Sequence, residues 1–410
     1  MTSNEGPSAL RCKLAALENQ SRPIGVAVSG GSDSTALLLQ LHDIGIKPSP
    51  RVATVDHGLR PEAAAEADHV AKLCKNLGIQ HDTLTWDGWD NQGNLQDQAR
   101  RARYRLLAGW AKENGIADVM LGHTRDDNAE TFLMGLTRGA GLDGLSGMRL
   151  KFTRDGVVFH RPLLDQTRAS LRAFLVARNI RWIDDPSNDN EQFDRIKMRQ
   201  ARDVLSELGI TPENLAKTIT NLSSTRRDLS KEVARWAHDH VSLSGGDVSC
   251  PAAAFDGLTD EYKRRILNTA LRWVTGADYP ARAESVMRVI QSGRDCTLHG
   301  CNIIFGDTLR LTRESARAER ATSTYQNWDN RWRLTGPKSD DLHVAALGEK
   351  GVVLCPDWRA SALPRTSLLA SPAIWSGDAL IAAPLANFSN GWTATLVRGE
   401  EQFYSSILSH

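Results

Sequence analysis

Ser29-Gly30-Gly31-Ser32-Asp33-Ser34 follows the β-branched run Ile24-Gly25-Val26-Ala27-Val28 and precedes the apolar segment Thr35 to Leu41. The hexapeptide therefore falls where a buried strand turns into a helix. Anions bind at such turns. Two glycines let the backbone approach a phosphate without a Cβ in the way, the first free N–H groups of the helix point at it, and serine hydroxyls add donors. The Gly-Lys-Ser/Thr ending of a Walker A loop is absent, which excludes the ordinary kinase or ATPase P-loop. Asp33 beside a triphosphate is repulsive unless a cation lies between them, and Mg²⁺ with oxygen ligands is the usual one. A serine/glycine turn that only caps a helix would fit these six residues as well, so the residues downstream must decide.

From Ile24 to about Gly122, short apolar strands alternate with longer helical stretches. The expected strands are Ile24 to Val28, Val52 to Asp56, His81 to Trp86 and Val119 to Gly122, with helices near Thr35 to Ile44, Pro61 to Leu77 and Asn94 to Asn114. Repeated strand-then-helix order means an α/β fold whose parallel sheet is covered on both faces, a doubly wound sheet. Ligands of such sheets collect at the carboxyl ends of the strands. Three polar, glycine-bearing turns fall there: Ser29 to Ser34, then Asp56-His57-Gly58-Leu59-Arg60, then Gly122-His123-Thr124-Arg125-Asp126-Asp127-Asn128-Ala129-Glu130-Thr131. Unrelated caps have no reason to recur at the strand ends where a nucleotide would bind.

Further on come a helix with Arg100, Arg101, Arg103 and Arg105 around Tyr104, a glycine-rich loop from Arg138 to Met148, Arg161-Pro162-Leu163-Leu164 at a strand end, and a helical segment from Arg168 to Asn179. The acidic turn Asp184-Asp185-Pro186-Ser187-Asn188-Asp189-Asn190 precedes a helix carrying Arg195, Lys197, Arg199 and Arg202.

Composition sets the outer bounds. A chain of 410 residues, 41% hydrophobic and 24% charged, suits two or three globular domains. No run reaches the roughly 18 apolar residues of a membrane helix, and residues 1–20 lack a signal-peptide pattern, so the expected compartment is the cytoplasm with no membrane partner. Six scattered cysteines without a Cys-x-x-Cys pair argue against an iron–sulfur cluster or zinc ribbon. Cys296, His299 and Cys301 are crammed into one turn and read as structural rather than metal-binding. With a net charge of +1, a nucleic-acid surface would need local concentration of charge.

These motifs together resemble the tRNA(Ile)-lysidine synthetases of the PP-loop ATP pyrophosphatase group. The resemblance rests on Ser29 to Ser34, Val55 to Arg60, Ala99 to Tyr104, Gly122-His123 with Asp126-Asp127 and Glu130-Thr131, Arg138 to Met148, Arg161 to Leu164, and Asp185 to Asn188 with Arg195 and Arg199. Two positions depart from the family pattern: Asn128 stands where it has Gln, shortening an amide, and Ile196 stands where it has Asn, removing a polar group.

The resemblance implies ligation of free L-lysine to C2 of the wobble cytidine of the CAU-anticodon isoleucine tRNA, through an adenylated cytidine, with release of pyrophosphate and AMP. It implies ATP held by Ser29, Gly30, Gly31, Ser32, Asp33, Ser34, Asp56, His57 and His123. Mg²⁺ would lie on Asp33, Asp127 and Glu130, and the catalytic set would be Asp33, Asp126, Asp127, Arg195 and Arg199. Asp127 is expected to accept the lysine proton or to hold its ammonium. Rival readings are a tRNA thiolation enzyme of the same group and a non-catalytic tRNA-binding protein.

In the back half, Thr211-Pro212-Glu213 opens a helix expected to reach His240, with helices near Asp260 to Val274 and Ala281 to Gln291. Thr297 to Phe305 and Thr308 to Arg313 read as a hairpin turning at Gly306-Asp307. Short strand-like runs such as Ala379 to Ala383 and Trp392 to Arg398 follow. The expected division is a PP-loop domain at 1–210, a mostly helical domain with a terminal hairpin at 211–320, and a small α+β domain at 321–410. The resemblance implies that the last two hold the tRNA, which makes Arg226-Arg227 and Lys263-Arg264-Arg265 either phosphate contacts or solvated helix faces. Monomer and homodimer are both left open.

Overall fold

A computed structural model describes residues 10, 11, 14, 21–58, 63–86, 89, 94–184, 194–277, 279–318, 321–324, 326–337 and 339–408, with backbone alone at 194–196 and 202–203. The chain divides into two compact units, Met1–Arg226 and Arg227–His410.

The first unit is built on strands β1 (Gly25–Ala27), β2 (Arg51–Asp56), β3 (His81–Thr85), β4 (Asp118–Leu121), β5 (Lys151–Arg154) and β6 (Val157–His160). Their order in the sheet is β3-β2-β1-β4-β6-β5. All neighbours are parallel except the edge strand β5, which runs antiparallel to β6. The chain steps outward from β1 to β3, then returns to the other side of β1 as β4. That reversal opens a crevice over the carboxyl ends of β1 and β4.

Helices cover both faces. Adjacent residues of β1 point oppositely. Val26 packs with Leu37 and Leu38 of α1 (Ser32–Asp43), Val70 and Cys74 of α2 (Ala63–Asn76), and, past the sheet, Leu171 and Leu175. Ala27 packs instead with Leu107 and Trp110 of α3 (Leu95–Glu113). Buried on both sides, the strands read as apolar runs rather than as alternating ones.

Three helix starts of this unit are fixed by side-chain caps. Asn94 caps α3 by accepting from the Gln96 and Asp97 N–H groups. Thr124 and Asp127 form a reciprocal capping box at the start of α4 (Arg125–Thr137). The glycine-rich loop contains a short helix, α5 (Leu142–Leu145), and α6 (Arg168–Val176) begins at a Thr167 cap. After α7 (Asp194–Gln200) and α8 (Arg202–Glu207), the boundary between units falls inside α9 (Pro212–His240), which ends where the sequence places it.

In the second unit, β7 (Ser242–Ser244), β8 (Asp247–Pro251), β9 (Cys296–Leu298), β10 (Cys301–Ile304) and β11 (Thr308–Arg313) form an antiparallel sheet in the order β7-β8-β11-β10-β9. The expected strand from Thr297 to Phe305 is broken: His299 and Gly300 both take positive φ, 54° and 76°, and make a two-residue hairpin turn between β9 and β10. Between β8 and β9 lie α10 (Ala252–Asp256), α11 (Asp260–Thr275) and α12 (Ala283–Ser292). Later come β12 (Thr322–Ser323), β13 (Trp332–Thr335), β14 (Leu342–Ala346), α13 (Gly348–Val353), α14 (Arg365–Leu369), β15 (Pro372–Ser376), β16 (Ala379–Ala382), β17 (Thr393–Leu396) and α15 (Glu400–Leu408). Phe403 and Ile407 of α15 are buried in the same core as Leu267, Leu271 and Trp273 of α11. This return explains why the part after residue 226 forms one unit, where the sequence suggested a boundary at 320/321.

Candidate active site

The turn after β1 leaves the start of α1 without a side-chain cap, so its first N–H groups have no side-chain acceptor. Ser34 closes the loop, accepting from the Ser29 N–H at 3.1 Å and donating to the Gly31 carbonyl at 3.2 Å. Gly30 takes φ +86°, and a Cβ there would meet Ile183 Cδ1 at 2.9 Å. At the end of β4, a Cβ on Gly122 would sit 2.8 Å from Ser34 Cα. Only glycine lets these two strand ends come together.

Their approach brings the Asp33 carboxylate to the residues of α4, and Arg168 binds all of them. Its Nε donates to Asp33 Oδ2 at 3.0 Å, Nη2 to Asp127 Oδ1 at 2.9 Å and Nη1 to Glu130 Oε1 at 3.5 Å. Arg199 reinforces the cluster, donating from Nε to Glu130 Oε1 at 2.7 Å. Asp126 lies beside this group: its Oδ2 accepts the backbone N–H of Arg168 at 2.8 Å, holding the start of α6. Through that bond Asp126 positions Arg168. In the sequence alone, Arg168 is marked only as the start of a helix.

All six carboxylate oxygens of Asp33, Asp127 and Glu130 have protein donors. Ser32 Oγ donates to Asp33 Oδ1, the Thr124 N–H and hydroxyl to Asp127 Oδ2, and Arg199 Nη2 to Glu130 Oε2, beside the bonds to Arg168. The donors have the hard-oxygen chemistry Mg²⁺ needs. Arg168 occupies the gap between them, so a metal ion there requires the guanidinium to give up an oxygen. Among the described residues, no group of three His, Cys, Asp or Glu side chains is arranged to hold a metal.

Burial and charge separate the carboxylates. Burial raises the Asp33 pKa, against the opposing pull of Arg168. For Asp127 burial also acts upward, but Arg168 and the Thr124 N–H outweigh it and the pKa falls below the usual value. Arg168 is the converse: burial disfavours its charge, yet Asp127, Asp33 and Glu130 raise its pKa further.

A cationic region adjoins this ring. Burial, with Arg161 adding to it, lowers His123 to about 3, so its imidazole is neutral. His57 is lowered by burial and by Arg103. Burial would raise the Tyr104 pKa, but Arg100, Arg161 and Arg103 together bring it down. The buried Nδ1 atoms of His57 and His123 and the Nε of Arg161 have no partner among the described residues. Asp56 is spent locally, accepting from the Gly58 N–H at 2.8 Å.

The glycine-rich loop is tied to α4 by the departure at Asn128, whose Oδ1 accepts from the Met148 N–H at 2.7 Å. Beyond Glu130, a cavity of about 390 Å³ is lined by Asp126, Ala129, Glu130, Arg199, Leu205 and Leu215, among others. It has a charged end and apolar walls. Asp185 to Asn190, Leu59-Arg60 and the Arg195 and Ile196 side chains lie outside the described residues.

In the second unit, two expected basic contacts look different in place. Arg264 and Arg265 both pair with Glu261 at 2.7 Å, and Arg265 is buried. Arg226, at the end of the first unit, is buried as well. Their charge is largely used within the protein.

Residues 8–207 match the family model of the PP-loop domain. The tRNA(Ile)-lysidine synthase of Ruegeria pomeroyi is 46% identical over 95% of this chain and 94% of its own length. That of Wolbachia pipientis is 33% identical over 76% of each, and that of Rhodopseudomonas palustris is 41% identical over 65% of this chain and 79% of its own. Among solved structures, the U34-tRNA thiolase NcsA from Methanococcus maripaludis aligns over 53% of this chain and 77% of its own, with a TM-score of 0.46 and 17% identity. That likeness is too slight to bear on the reaction.

Proposed function

This chain belongs to the tRNA(Ile)-lysidine synthase family, and from that membership we propose how its first unit joins ATP, free L-lysine and the wobble cytidine of a CAU-anticodon tRNA. The protein is an ATP-dependent ligase that forms lysidine on tRNA(Ile). Its ATP-binding domain is the PP-loop domain.

The uncapped start of α1, with Ser29, Ser32 and Ser34, takes the ATP phosphates. His57 and His123 contribute as neutral donors or acceptors beside the nucleotide, and Arg103 and Arg161 offer positive charge to phosphate groups. In the first step the cytosine O2 attacks the α-phosphorus and pyrophosphate leaves; in the second the ε-amine attacks C2 and AMP leaves. Mg²⁺, held by Asp33 with Asp127 or Glu130 when the nucleotide brings it, would offset negative charge at the α-phosphate.

Lysine enters the cavity beyond Glu130, its methylenes against Ala129, Leu205 and Leu215 and its ammonium towards the carboxylates. An ammonium with a pKa of about 10.4 must lose a proton before attack. The depressed pKa of Asp127 makes it a weak proton acceptor and a strong partner for the ammonium, which favours the holding role. The second unit contributes to holding the tRNA, and the enzyme works in the cytoplasm; no helix among the described residues is long and apolar enough to cross a membrane.

The single observation carrying this scheme is the convergence of Asp33, Asp127 and Glu130 on Arg168 beside the anion loop. Pyrophosphate release from ATP and tRNA, with and without lysine, tests it. Release accompanied by lysine incorporation supports the scheme; release with no lysine product points to thiolation, and absence of release to a binding protein.

A further inference from the structure

The second unit holds a guanidinium that has no carboxylate partner among the described residues. Arg331, only 6% exposed, donates from Nη2 to the Gly246 carbonyl, and its Nε is buried without a partner among the described residues. The carboxylates within electrostatic range of it are committed elsewhere. Asp329 takes Arg313 through two bonds, 2.8 and 3.0 Å, and Asp247 takes Arg310 at 3.0 Å and Ser367. A buried cation without a counter-charge is costly. Burial accordingly lowers its pKa to about 10, leaving it charged at neutral pH.

Arg331 lines a cavity of about 210 Å³ together with Trp273, Leu396 and Arg398. The Trp273 indole N–H is a second buried donor without a partner. Arg398 is exposed and makes no hydrogen bond or ion pair among the described residues. The cavity is held open by backbone. β13 pairs with β17 so that Trp332 faces Leu396, and the Val397 N–H donates to the Arg331 carbonyl at 2.8 Å. At Gly246, φ is +86° and a Cβ would lie 2.8 Å from Arg331 Nη2, so the turn keeps its side chain out of the guanidinium's place.

Two guanidinium groups and an indole N–H, with no carboxylate on the lining, specify an anion. The enclosed part is narrow, with room for about one water-sized oxygen, so it takes a single oxygen of a phosphoryl group whose remainder lies outside beside Arg398. With Arg398 exposed at the cavity, a group attached to a longer polyanion can enter. We propose that the cavity formed by Trp273, Arg331, Leu396 and Arg398 binds one backbone phosphate of the tRNA substrate. This rests on the lysidine-forming reading, which supplies the RNA; the cavity supplies a phosphate contact where Arg264 and Arg265 are already paired.

The test uses the full chain, its Arg398→Gln variant and its Trp273→Phe variant, which keeps an aromatic ring but removes the N–H. Binding of the CAU-anticodon tRNA is measured from 50 to 300 mM KCl, and the Trp273 indole N–H resonance is followed during titration with inorganic phosphate. The expected result for Arg398→Gln is weaker tRNA binding and a slope of log K against log salt shallower by about 0.7–0.9, the loss of one phosphate contact. Phosphate should shift the indole resonance in the wild type and less so in Arg398→Gln, and Trp273→Phe should also weaken tRNA binding. Unchanged affinity and slope in both variants, with wild-type lysine incorporation intact, overturns the phosphate site alone. A phosphate-dependent indole shift with an unchanged tRNA slope assigns the cavity to free anions and overturns the RNA source. Failure of the wild type to bind tRNA or incorporate lysine brings down the functional reading itself.

Discussion

Replacing Arg168 with Met keeps the apolar stem and removes the guanidinium that three carboxylates share. Asp33, Asp127 and Glu130 are left facing one another, with side chains 18, 12 and 8% exposed. Removing one partner of a buried ion pair costs about 3–5 kcal/mol because the remaining charges go uncompensated. For a unit of this size that corresponds to a melting temperature lower by roughly 6–20 °C.

The deficit should depend on pH. Asp33 already has a raised pKa through burial, and Arg168 is the first influence lowering it and Asp127. Without Arg168 both folded-state values rise, and that of Asp33 moves further above the 3.8 of an ordinary aspartate. Groups with raised folded-state pKa values take up protons more readily in the folded state, so the variant recovers stability as pH falls through those values. In the wild type the depressed Asp127 acts the other way, contributing stability above pH 3.8 that is lost as pH falls towards its folded value. Thermal unfolding followed by circular dichroism at pH 7.5 and 5.0 reads both effects. A loss below about 1 kcal/mol, or a deficit of the same size at both pH values, would refute the shared ion cluster.

Asn128→Ala leaves the Met148 N–H without its acceptor and should cost about 1–3 kcal/mol, measured by urea unfolding. Asn128→Gln, though it restores the family residue, should also destabilise, because the Asn128 amide already lies 2.5 Å from where a Gly147 Cβ would be. Gly122→Ala should abolish ATP-dependent pyrophosphate release, since its Cβ would strike the Ser34 backbone; normal release would contradict the close approach of the two strand ends. His123, held near 3 by burial and Arg161, should show no imidazole titration by NMR between pH 5 and 8. Its depressed value should withdraw stability as pH falls from about 6.5 towards 3. Cys74 and Cys301, whose thiols burial pushes up to about 12, should resist thiol reagents at pH 8 until the protein unfolds.

What the sequence discloses follows from the range of the interactions involved. Strand–turn–helix order is local, so β1 to β4 and the polar turns after them are legible, as is the capped α9 from Pro212. The hub of the site is not local: Arg168 lies 135 positions from Asp33 and about 40 from Asp127 and Glu130. One signal was available. An arginine as the first residue of a helix opposes the helix dipole, so something must hold it there. His299-Gly300 was hidden inside a β-branched run, because a two-residue turn needs only two left-handed residues and leaves the flanking apolar pattern intact. The docking of α15 onto the core of α11 depends on packing across more than 120 residues, which no periodicity encodes.

One measurement tests lysidine formation by this protein most directly. Incubating the protein with ATP, isotope-labelled L-lysine and the CAU-anticodon isoleucine tRNA, then digesting the RNA and weighing the wobble nucleoside, should give a cytidine carrying the labelled lysine, with Asp127→Ala giving little or none. An unmodified or thiolated wobble nucleoside from active protein would contradict it.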